Sequence, residues 1–508
     1  MDNKIYLFII FAAVFFLVRR LIRYISVARF KRRHGCKPAK QLPQREKIIG
    51  FAYFRIQAEA VKKKRLMALQ QERYDTYGNT WSLVLMGARF YTTIEVENVK
   101  AVLATNFKDF GLGMRQVAFD PLLGQGIFTT DGEQWEHSRA LVRPNFIRSQ
   151  VADLDLYETH IQILFSKIPR DGSMVDLQPL FFQLTLDSAT EFLFGESVSS
   201  LTSVEGSSQH RFGKMFDLAQ NRLNLRARLG KLVMVYRDKE FDRACQIVHE
   251  FVDEIIYRAL ERFEPRDAEK PIDGSGEKKR YVFLNELLKS TRDPKRLRDE
   301  LLNILMAGRD TTASLLSHTF HLLARRPDIW QKLQAEIAEL NGTKPDYDTL
   351  RNLKYVKYVL NESLRYYPVV PSNGRIAVKD TILPRGGGPN GESPLFVPKG
   401  AIVGFTPWVM HRRKDIYGPD AHEFRPERWA PEEGLRPGWG YLPFGGGPRI
   451  CLGQQFALTE ASYTIVRILQ EFARIENRDG GDWVEKLNVT LSPGNGVKVT
   501  MIPGRTCI

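Results

Sequence analysis

Phe444-Gly445-Gly446-Gly447-Pro448-Arg449-Ile450-Cys451-Leu452-Gly453 is the stretch that decides the fold, and it runs directly into the apolar pattern Gln455-Phe456-Ala457-Leu458. Its single cysteine lies where that pattern predicts a helix to begin. A helix N-terminus offers unpaired backbone N–H groups and the positive end of the helix dipole, and both favour a thiolate over a thiol. The glycines let the backbone approach the sulfur closely, and Pro448 stiffens the loop.

A thiolate held in this way has the chemistry of an axial haem ligand. The alternative is a structural cysteine buried in a turn, because lone cysteines are often only packed. Five residues of the stretch, Phe444, Gly447, Arg449, Cys451 and Gly453, match the Phe-x-x-Gly-x-Arg-x-Cys-x-Gly signature, so the segment resembles the cytochrome P450 family. The resemblance implies that Cys451 ligates the iron of a haem b, and that Phe444, Arg449 and Gly453 contact the cofactor.

Composition excludes several other classes of protein. The chain has 508 residues and a formal net charge of +15. Residues 1–40 hold ten Lys or Arg and one Asp, a net +9, which leaves +6 for the other 468 residues and argues against nucleic-acid binding. The four cysteines, Cys36, Cys245, Cys451 and Cys507, have no paired spacing. This pattern indicates a reducing compartment rather than a disulfide framework or a zinc site.

An apolar run near the N-terminus predicts a membrane anchor. Ile5 to Val18 is uncharged, apolar residues continue to Ile25, and arginines begin at Arg19. The run is shorter than the ~20 residues that span a bilayer, but the arginines could snorkel at its edge. We expect a spanning helix with the rest of the chain in the cytosol; an interfacial amphipathic helix is the alternative. The predicted organisation is an anchor at 1–26, a basic, proline-containing stiff hinge at 27–44 and a globular domain at 45–508.

A polar group interrupts a long helical pattern that runs from about Pro294 to Arg325. Gly308, Asp310 and Thr311 are poor helix formers in mid-helix, and local rules fail most often at functional sites. A threonine hydroxyl can divert a backbone hydrogen bond and open the helix. A tolerated polar patch facing solvent is the alternative. The segment resembles the Ala/Gly-Gly-x-Asp/Glu-Thr oxygen-activation motif of the P450 family, which implies the following roles: Ala307 and Gly308 border the cofactor, Thr311 hydrogen-bonds dioxygen, and Asp310 relays protons.

Two charged motifs resemble the structural triad of the same family. Glu362 and Arg365 are three residues apart and share a helix face, which alone would indicate an exposed pair of little value. Arg428 lies downstream in Pro426-Glu427-Arg428-Trp429. The resemblance implies that the three charges lock the region behind the cysteine loop. Trp429 replaces the usual phenylalanine of the second motif.

Further cations match the haem-propionate ligands of the family. Trp135 and Arg139 are four residues apart on a predicted helix, where an indole N–H and a guanidinium suit a carboxylate. A solvated cation beside a packed aromatic is the alternative. The resemblance implies that Trp135, Arg139, Arg375 and Arg449 bind the propionates.

Residues 108–134 contain several glycines and predict a loop. The resemblance implies that residues 108–130 and roughly 195–240 line the substrate pocket. An apolar pocket wall is expected from Phe110, Met114, Phe119, Ile127 and Phe128, with ordinary core packing as the alternative. Strands are predicted at Trp81–Met86 and Phe90–Ile94, on either side of Gly87. Gly386 to Gly391 satisfies Gly-x-Gly-x-x-Gly, but no helix follows, so we predict a hairpin tip and no dinucleotide site.

The resemblance covers residues 45–508 and implies a mainly α fold with a smaller β region, namely the P450 fold on an N-terminal membrane helix. It implies a monooxygenase of an apolar small molecule that receives electrons from a separate NADPH–cytochrome P450 reductase, with cytochrome b5 as an optional second donor. Residues 307–312, 385–391 and 453–461 are similar to fungal membrane-bound hydroxylases of alkanes and fatty acids. The expected location is the endoplasmic reticulum membrane, single-pass, with the catalytic domain in the cytosol.

Three alternatives to a fatty-chain hydroxylase stay open. The first is oxidative tailoring of a fungal secondary metabolite such as a terpenoid or a polyketide. The second is a haem-thiolate enzyme that rearranges or dehydrates its substrate without a reductase; the Asp310-Thr311 pair argues against it. The third is a non-enzymatic, membrane-anchored haem-binding protein.

Overall fold

The computed structural model describes residues 2–46, 48–147, 150, 152–262 and 281–504. The charged segment 265–280 and Cys507 lie outside the described residues. Among those described, the chain is mainly helical with a smaller β region, as predicted. They form two compact units: the first comprises Met1–Arg55, Gln71–Gly111 and Gly374–Phe405, and the second Ile56–Gln70, Leu112–Asn373 and Thr406–Ile508.

The helices are numbered in chain order. Those before residue 230 are α1 (Asp2–Arg33), α2 (Phe51–Lys62), α3 (Leu66–Tyr77), α4 (Val96–Lys100), α5 (Arg115–Leu123), α6 (Gly132–Val142), α7 (Leu154–Lys167), α8 (Leu177–Phe194) and α9 (Ser208–Arg228). Those after it are α10 (Lys239–Arg262), α11 (Phe283–Leu288), α12 (Pro294–Leu323), α13 (Pro327–Ala338), α14 (Tyr347–Asn352), α15 (Lys354–Tyr366), α16 (Pro407–Met410), α17 (Lys414–Tyr417) and α18 (Gln454–Glu471).

The strands are short. They are β1 (Lys40–Gln41), β2 (Thr80–Leu85), β3 (Ala88–Thr93), β4 (Phe110–Gly111), β5 (Val175–Asp176), β6 (Asn373–Ala377), β7 (Thr381–Gly387), β8 (Ser393–Val397), β9 (Ile402–Phe405), β10 (Phe472–Asn477), β11 (Glu485–Leu487), β12 (Leu491–Pro493) and β13 (Lys498–Pro503).

The first unit is built on a six-stranded sheet of order β1-β2-β3-β9-β6-β4 and on the β7-β8 hairpin. The two predicted strands around Gly87 are β2 and β3, paired antiparallel from Thr80↔Thr93 to Leu85↔Ala88. Met86 and Gly87 both have positive φ, which a two-residue turn between twisted strands requires. The predicted hairpin at residues 385–391 is confirmed as the end of β7 and its turn.

The second unit is organised around α12. Its N-terminus is capped by Asp293, whose side chain accepts a hydrogen bond from the Lys295 N–H, and Pro294 occupies the first turn. Side chains on nearly every face of α12 are buried. A helix that is buried all round lies inside its unit. The centre of α12 is therefore placed to carry internal chemistry.

Three local predictions differ from the structure. Residues 108–134 contain a helix, α5, although Pro121 lies inside it and glycines flank it. The sequence pattern of residues 58–77 predicts one helix, whereas the structure has two, α2 and α3. The helix that begins at the N-terminus continues to Arg33, through the basic residues assigned to the hinge. Helix propensity and charge predict no end of the helix at residue 26, because Arg and Lys are good helix formers.

By length and composition, α1 is able to cross a membrane. The stretch Ile5–Arg33 has a mean hydropathy of 2.3 in its most apolar window, none of which is buried.

Candidate active site

The cysteine loop is fixed by short-range backbone bonds. The Cys451 N–H donates to the Phe444 carbonyl at 3.0 Å, and the Ile450 N–H donates to the Gly447 carbonyl at 3.0 Å. A side chain at Gly446 is excluded, because a Cβ there would lie 2.5 Å from the ring of Trp439. Helix α18 begins three residues after the cysteine, at Gln454. The glycines thus let the backbone fold tightly around the sulfur, as the sequence predicts.

Cys451 is exposed to solvent, yet burial raises the pKa of its thiol. Protein therefore lies close to the thiol although solvent reaches the residue. A hydrogen bond from the Gly453 backbone and the positive charge of Arg139 act to lower the pKa, as expected at the start of a helix. Burial outweighs both, so a further positive charge at the sulfur would favour the thiolate form.

Two arginines lie beside the cysteine loop on the side of α6. Arg139 donates to the Ile450 carbonyl at 3.0 Å. Arg449 donates to the Thr130 carbonyl at 2.9 Å and to the Asp131 carboxylate at 2.7 Å. Its guanidinium lies 4.2 Å from the ring centre of Trp135. The structure therefore brings Trp135, Arg139 and Arg449 together, which the sequence motifs alone could not establish.

Arg115 is a further cation of this cluster that the sequence analysis missed. Burial lowers the pKa of Arg115, and the charges of Arg115 and Arg139 help burial to lower the pKa of Arg449 to about 10. Cations crowded in this way repel one another, so the site favours added negative charge. Arg375 lies in β6 of the first unit, where it is buried and donates to the Gly374 carbonyl at 2.8 Å.

Asp310 is a buried acid in the middle of α12. Burial raises its pKa to about 6, against the opposing charge of Arg309. Arg309 donates to Asp310 at 3.1 Å and also pairs with Asp217 of α9. The amide of Gln220, oriented with its nitrogen toward Asp310, donates to Oδ1 at 3.1 Å. A carboxyl that changes charge near pH 6 can give or take a proton under physiological conditions.

Thr311, next to the acid, donates its hydroxyl to the Ala307 carbonyl at 2.7 Å. This bond to the carbonyl four residues earlier is the diversion that the sequence predicts. The helix is not opened, because α12 continues through this turn. Gly308 faces α8, where a Cβ would meet Ala189 at 3.9 Å, an ordinary contact.

Glu362, Arg365 and Arg428 form one buried network. Arg365 donates to both carboxylate oxygens of Glu362 at 2.8 and 2.7 Å, and Arg428 donates to Glu362 at 2.9 Å. All three side chains are at most 2% exposed. The expectation of an exposed pair from the spacing of Glu362 and Arg365 alone is therefore wrong, because the turns 417–429 cover this face of α15. Arg365 also donates to the carbonyls of His411, Ala421 and Glu423.

The network reaches the cysteine loop through His411. Burial lowers the pKa of His411 to about 3, so the ring is neutral and can accept a hydrogen bond. It accepts the Leu442 N–H at 3.0 Å, two residues before the loop. Trp429 donates its indole N–H to Glu362 at 3.0 Å, a bond that phenylalanine could not make. The sequence analysis missed His411, which has no motif of its own.

The residues predicted to form the apolar pocket wall differ in burial and do not all belong to the same unit. Phe119 is buried, whereas Met114, Ile127 and Phe128 are half-buried in the second unit. The Phe128 N–H donates to Asn303 of α12 at 3.0 Å. Gly126 must lack a side chain, because its Cβ would lie 2.3 Å from the Asn303 amide. Phe110 lies in β4 of the first unit and is 7% exposed.

The sequence profile of the cytochrome P450 family matches residues 50–499. The chain belongs to the cytochrome P450 family. It is a P450 monooxygenase, a class that carries haem iron with a thiolate ligand, needs a redox-partner reductase and binds an apolar substrate.

Curated P450 relatives cover most of the chain. A cytochrome P450 monooxygenase, himC, of Aspergillus japonicus is 47% identical over 92% of this chain and 84% of its own. The monooxygenase fsdH of Fusarium heterosporum is 44% identical over 97% of this chain and 87% of its own. Cytochrome P450 52A12 of Debaryomyces hansenii is 47% identical over 85% of this chain and 86% of its own.

The P450 site described above fits a haem. Arg115, Arg139 and Arg449 accompany the carboxylate of Asp131, so the cluster carries more positive than negative charge. Two propionates would balance that excess in a partly buried setting. An iron ion beside Cys451 would supply such a positive charge, because metal coordination deprotonates a thiol.

Proposed function

We propose that this P450 hydroxylates an apolar carbon chain, a fatty acid or an alkane, at or near its terminus. The observation that carries the proposal is Asp310, a buried acid with a pKa of about 6 beside Thr311. Reduction of dioxygen consumes protons, so a donor of this kind is required. The likeness of residues 307–312, 385–391 and 453–461 to fungal alkane and fatty-acid hydroxylases supports the choice of substrate.

In this proposal Cys451 ligates the iron of a haem b. Arg139, Arg449 and Trp135 of the second unit would hold its propionates, and Arg115 adds a further cation; for Arg375 the same role rests on the family resemblance alone. Phe444, Gly453, Ala307 and Gly308 border the cofactor. When bound, the haem supplies activation of dioxygen, so that one oxygen atom enters a C–H bond and the other leaves as water, with two electrons from NADPH and two protons.

Residues of α12 transfer those protons. Asp310 gives a proton and regains one, while Arg309 and Gln220 keep its carboxyl in a fixed position. The Thr311 hydroxyl, held by the Ala307 carbonyl, receives or passes on the proton as donor and acceptor. Glu362, Arg365 and Arg428 take no part in this chemistry and hold the chain behind the cysteine loop.

The half-buried side chains of Met114, Ile127 and Phe128 form the substrate wall in the second unit, together with Phe119. The Phe128–Asn303 bond attaches their segment to α12. An apolar wall suits an apolar carbon chain.

The proposed location is the endoplasmic reticulum, with α1 spanning the membrane and the haem domain in the cytosol. NADPH–cytochrome P450 reductase would supply the electrons, with cytochrome b5 as an optional second donor.

An optical titration of the purified haem protein tests the substrate class. Saturated fatty acids and alkanes of increasing length should produce a saturable low-spin to high-spin shift whose affinity increases with chain length. The Thr311→Ala variant is the matched control, because it should keep the shift and lose hydroxylated product per NADPH. A protein that forms a normal carbon monoxide complex but shifts only with terpenoids or polyketides would contradict the fatty-chain proposal and favour secondary-metabolite tailoring.

A further inference from the structure

The last turns of α1 lie against the β7-β8 hairpin of the first unit. Arg23 donates from Nη2 to Asp380 Oδ1 at 2.6 Å and from Nη1 to the other carboxylate oxygen, so the pair is bidentate. Two turns later, the ring of Phe30 lies 5.5 Å from the ring of Phe396 in β8. Lys31 lies 5.2 Å from the centre of the same ring. These contacts fix both the rotation of α1 and its position along the hairpin.

The segment after α1 is also attached to this hairpin. The Lys37 N–H donates to the Pro394 carbonyl at 2.9 Å, and the Gly388 N–H donates to the Pro38 carbonyl at 2.9 Å. Ala39 forms a β-bridge with Gly387, after which β1 pairs with β2. A Cβ on Gly387 would lie 2.7 Å from the Lys37 carbonyl oxygen. The glycine-rich insertion is therefore where the backbone after the anchor helix can approach the hairpin.

The spacing along α1 matches a bilayer. The eighteen residues from Ile5 to Ile22 are exposed apart from Ala12, which is half-buried. At 1.5 Å per residue they extend about 27 Å, close to the hydrocarbon thickness of an endoplasmic reticulum bilayer. Arg23 then lies at the boundary of the hydrocarbon layer. Arg19 and Arg20, within one turn of it, can extend their charges to the headgroups.

Two turns of the first unit surround Arg23 at this level. The Lys399 N–H donates to Asp380 at 2.9 Å, and the Gly400 N–H donates to the Ala377 carbonyl at 2.8 Å. This joins residues 378–380 to residues 398–400. Val378 is 46% exposed, and the Lys379 side chain is 62% exposed and pairs with Asp109 at 2.7 Å. An apolar side chain flanked by lysines suits an interface rich in anionic lipid.

We propose that residues 378–380 and 398–400 form a docking surface for the lipid headgroups, with the Arg23–Asp380 pair at the membrane surface. The first unit is then held on the bilayer through a continuous rigid connection. The β7-β8 hairpin follows the last turns of α1 away from the membrane, so its tip lies in the cytosol. This proposal rests on the proposed insertion of α1.

The ion pair has a reason to lie at this depth. An exposed pair in water contributes little to stability. The headgroup boundary has a lower dielectric constant than water, so the same charges attract each other more strongly there. Loss of the Arg23–Asp380 pair should therefore weaken the attachment of α1 to the hairpin more in vesicles than in detergent.

Spin labels on the full-length holoenzyme test the depth of the surface. Cys36, Cys245 and Cys507 are replaced by serine, and a nitroxide is attached at Lys399→Cys or, separately, at Asn390→Cys near the hairpin tip. The protein is placed in phosphatidylcholine vesicles with added phosphatidylserine. We expect the label at 399 to be shielded from a water-soluble nickel chelate and the label at 390 to be fully accessible.

Asp380→Asn, which keeps an oxygen for the Lys399 N–H, should make the label at 399 several-fold more accessible to the chelate. The matched control is Glu97→Gln, which removes the exposed charge paired with Arg385 and should change nothing. Flotation of the vesicles separates the two proposals. Protein that floats while both labels are equally accessible would overturn the docking surface alone. Protein that does not float would overturn the insertion of α1 and the docking surface with it.

Discussion

Trp429 donates its indole N–H to Glu362 at 3.0 Å, inside a network of buried charges. Phenylalanine, the usual residue of the family at this point, would leave that carboxylate with one bond fewer. Hydrogen bonds to charged groups contribute about 1.5–3 kcal/mol, so we expect Trp429→Phe to lower the free energy of unfolding by that amount. Urea unfolding of the haem-loaded protein measures the change.

Trp330→Phe is the matched control for this substitution. The Trp330 indole donates at 3.0 Å to the neutral Ala473 carbonyl, so its loss should cost about 1 kcal/mol. Equal losses from the two variants would indicate that the charge of Glu362 adds nothing to the bond.

Arg365→Ala should abolish haem incorporation. The substitution leaves the fully buried Glu362 with less compensating charge and frees three backbone carbonyls of the turns before the cysteine loop. Breaking a buried ion pair typically costs about 3–5 kcal/mol. The ratio of haem to protein and the carbon monoxide spectrum are the measurements. Arg474→Ala, at an exposed pair with Glu476, is the control. Normal haem loading of Arg365→Ala would refute the structural role.

Asp310→Asn should reduce coupled turnover by on the order of 100-fold, the lower range for loss of a general acid. The protonated fraction of Asp310 falls as pH rises above about 6. The wild-type pH profile should therefore decline on that side, and the variant should lack the decline. Product per NADPH is measured across pH, with Asp328→Asn, an exposed carboxylate, as control. An unchanged profile in Asp310→Asn would contradict the assignment.

Glu460→Gln should remove a pH dependence of stability. Glu460 of α18 is 1% exposed, and burial raises its pKa to about 8, although Ser188 of α8 donates to it. Because the folded pKa lies above the unfolded one, the carboxyl stabilises the fold at low pH. That contribution is lost as pH rises toward 8, by at most about 1.4 kcal/mol per pH unit.

Unfolding midpoints of wild type and Glu460→Gln, measured between pH 5 and pH 9, check the direction of this pH dependence. The variant should have the flatter profile and the higher midpoint at the alkaline end. The exposed Glu432→Gln should follow the wild type. A wild-type midpoint that rises through this range while the variant stays flat would contradict the buried neutral carboxyl.

The sequence predicts most about the residues that belong to a motif. The cysteine loop, the acid of α12 and the triad each require fixed residue types at fixed spacings. Such spacings can be recognised in a single sequence without knowledge of its contacts. The burial of these residues did not follow from the motifs. Glu362 and Arg365 have the spacing of a surface pair, and only the distant turns 417–429 make them interior.

Residues that act through distant partners were missed. Arg115 follows two glycines and precedes Pro121, so propensity indicated a loop where α5 forms. The segment predicted as a hinge was misjudged for a similar reason. Lys37 and Pro394 are far apart in sequence, and no local pattern contains their pairing. Long-range backbone pairing is set by tertiary structure, which a single sequence does not display.

The attachment of α1 to the hairpin also decides how a shortened, water-soluble form should be made. Removal of residues 1–26, the predicted anchor, would take Arg23 away from Asp380. A truncation before Arg19 would remove the apolar run and keep Arg23, Phe30 and the paired segment that follows. The longer form should be the more monodisperse after purification, because the Arg23–Asp380 pair continues to hold Phe30 against Phe396.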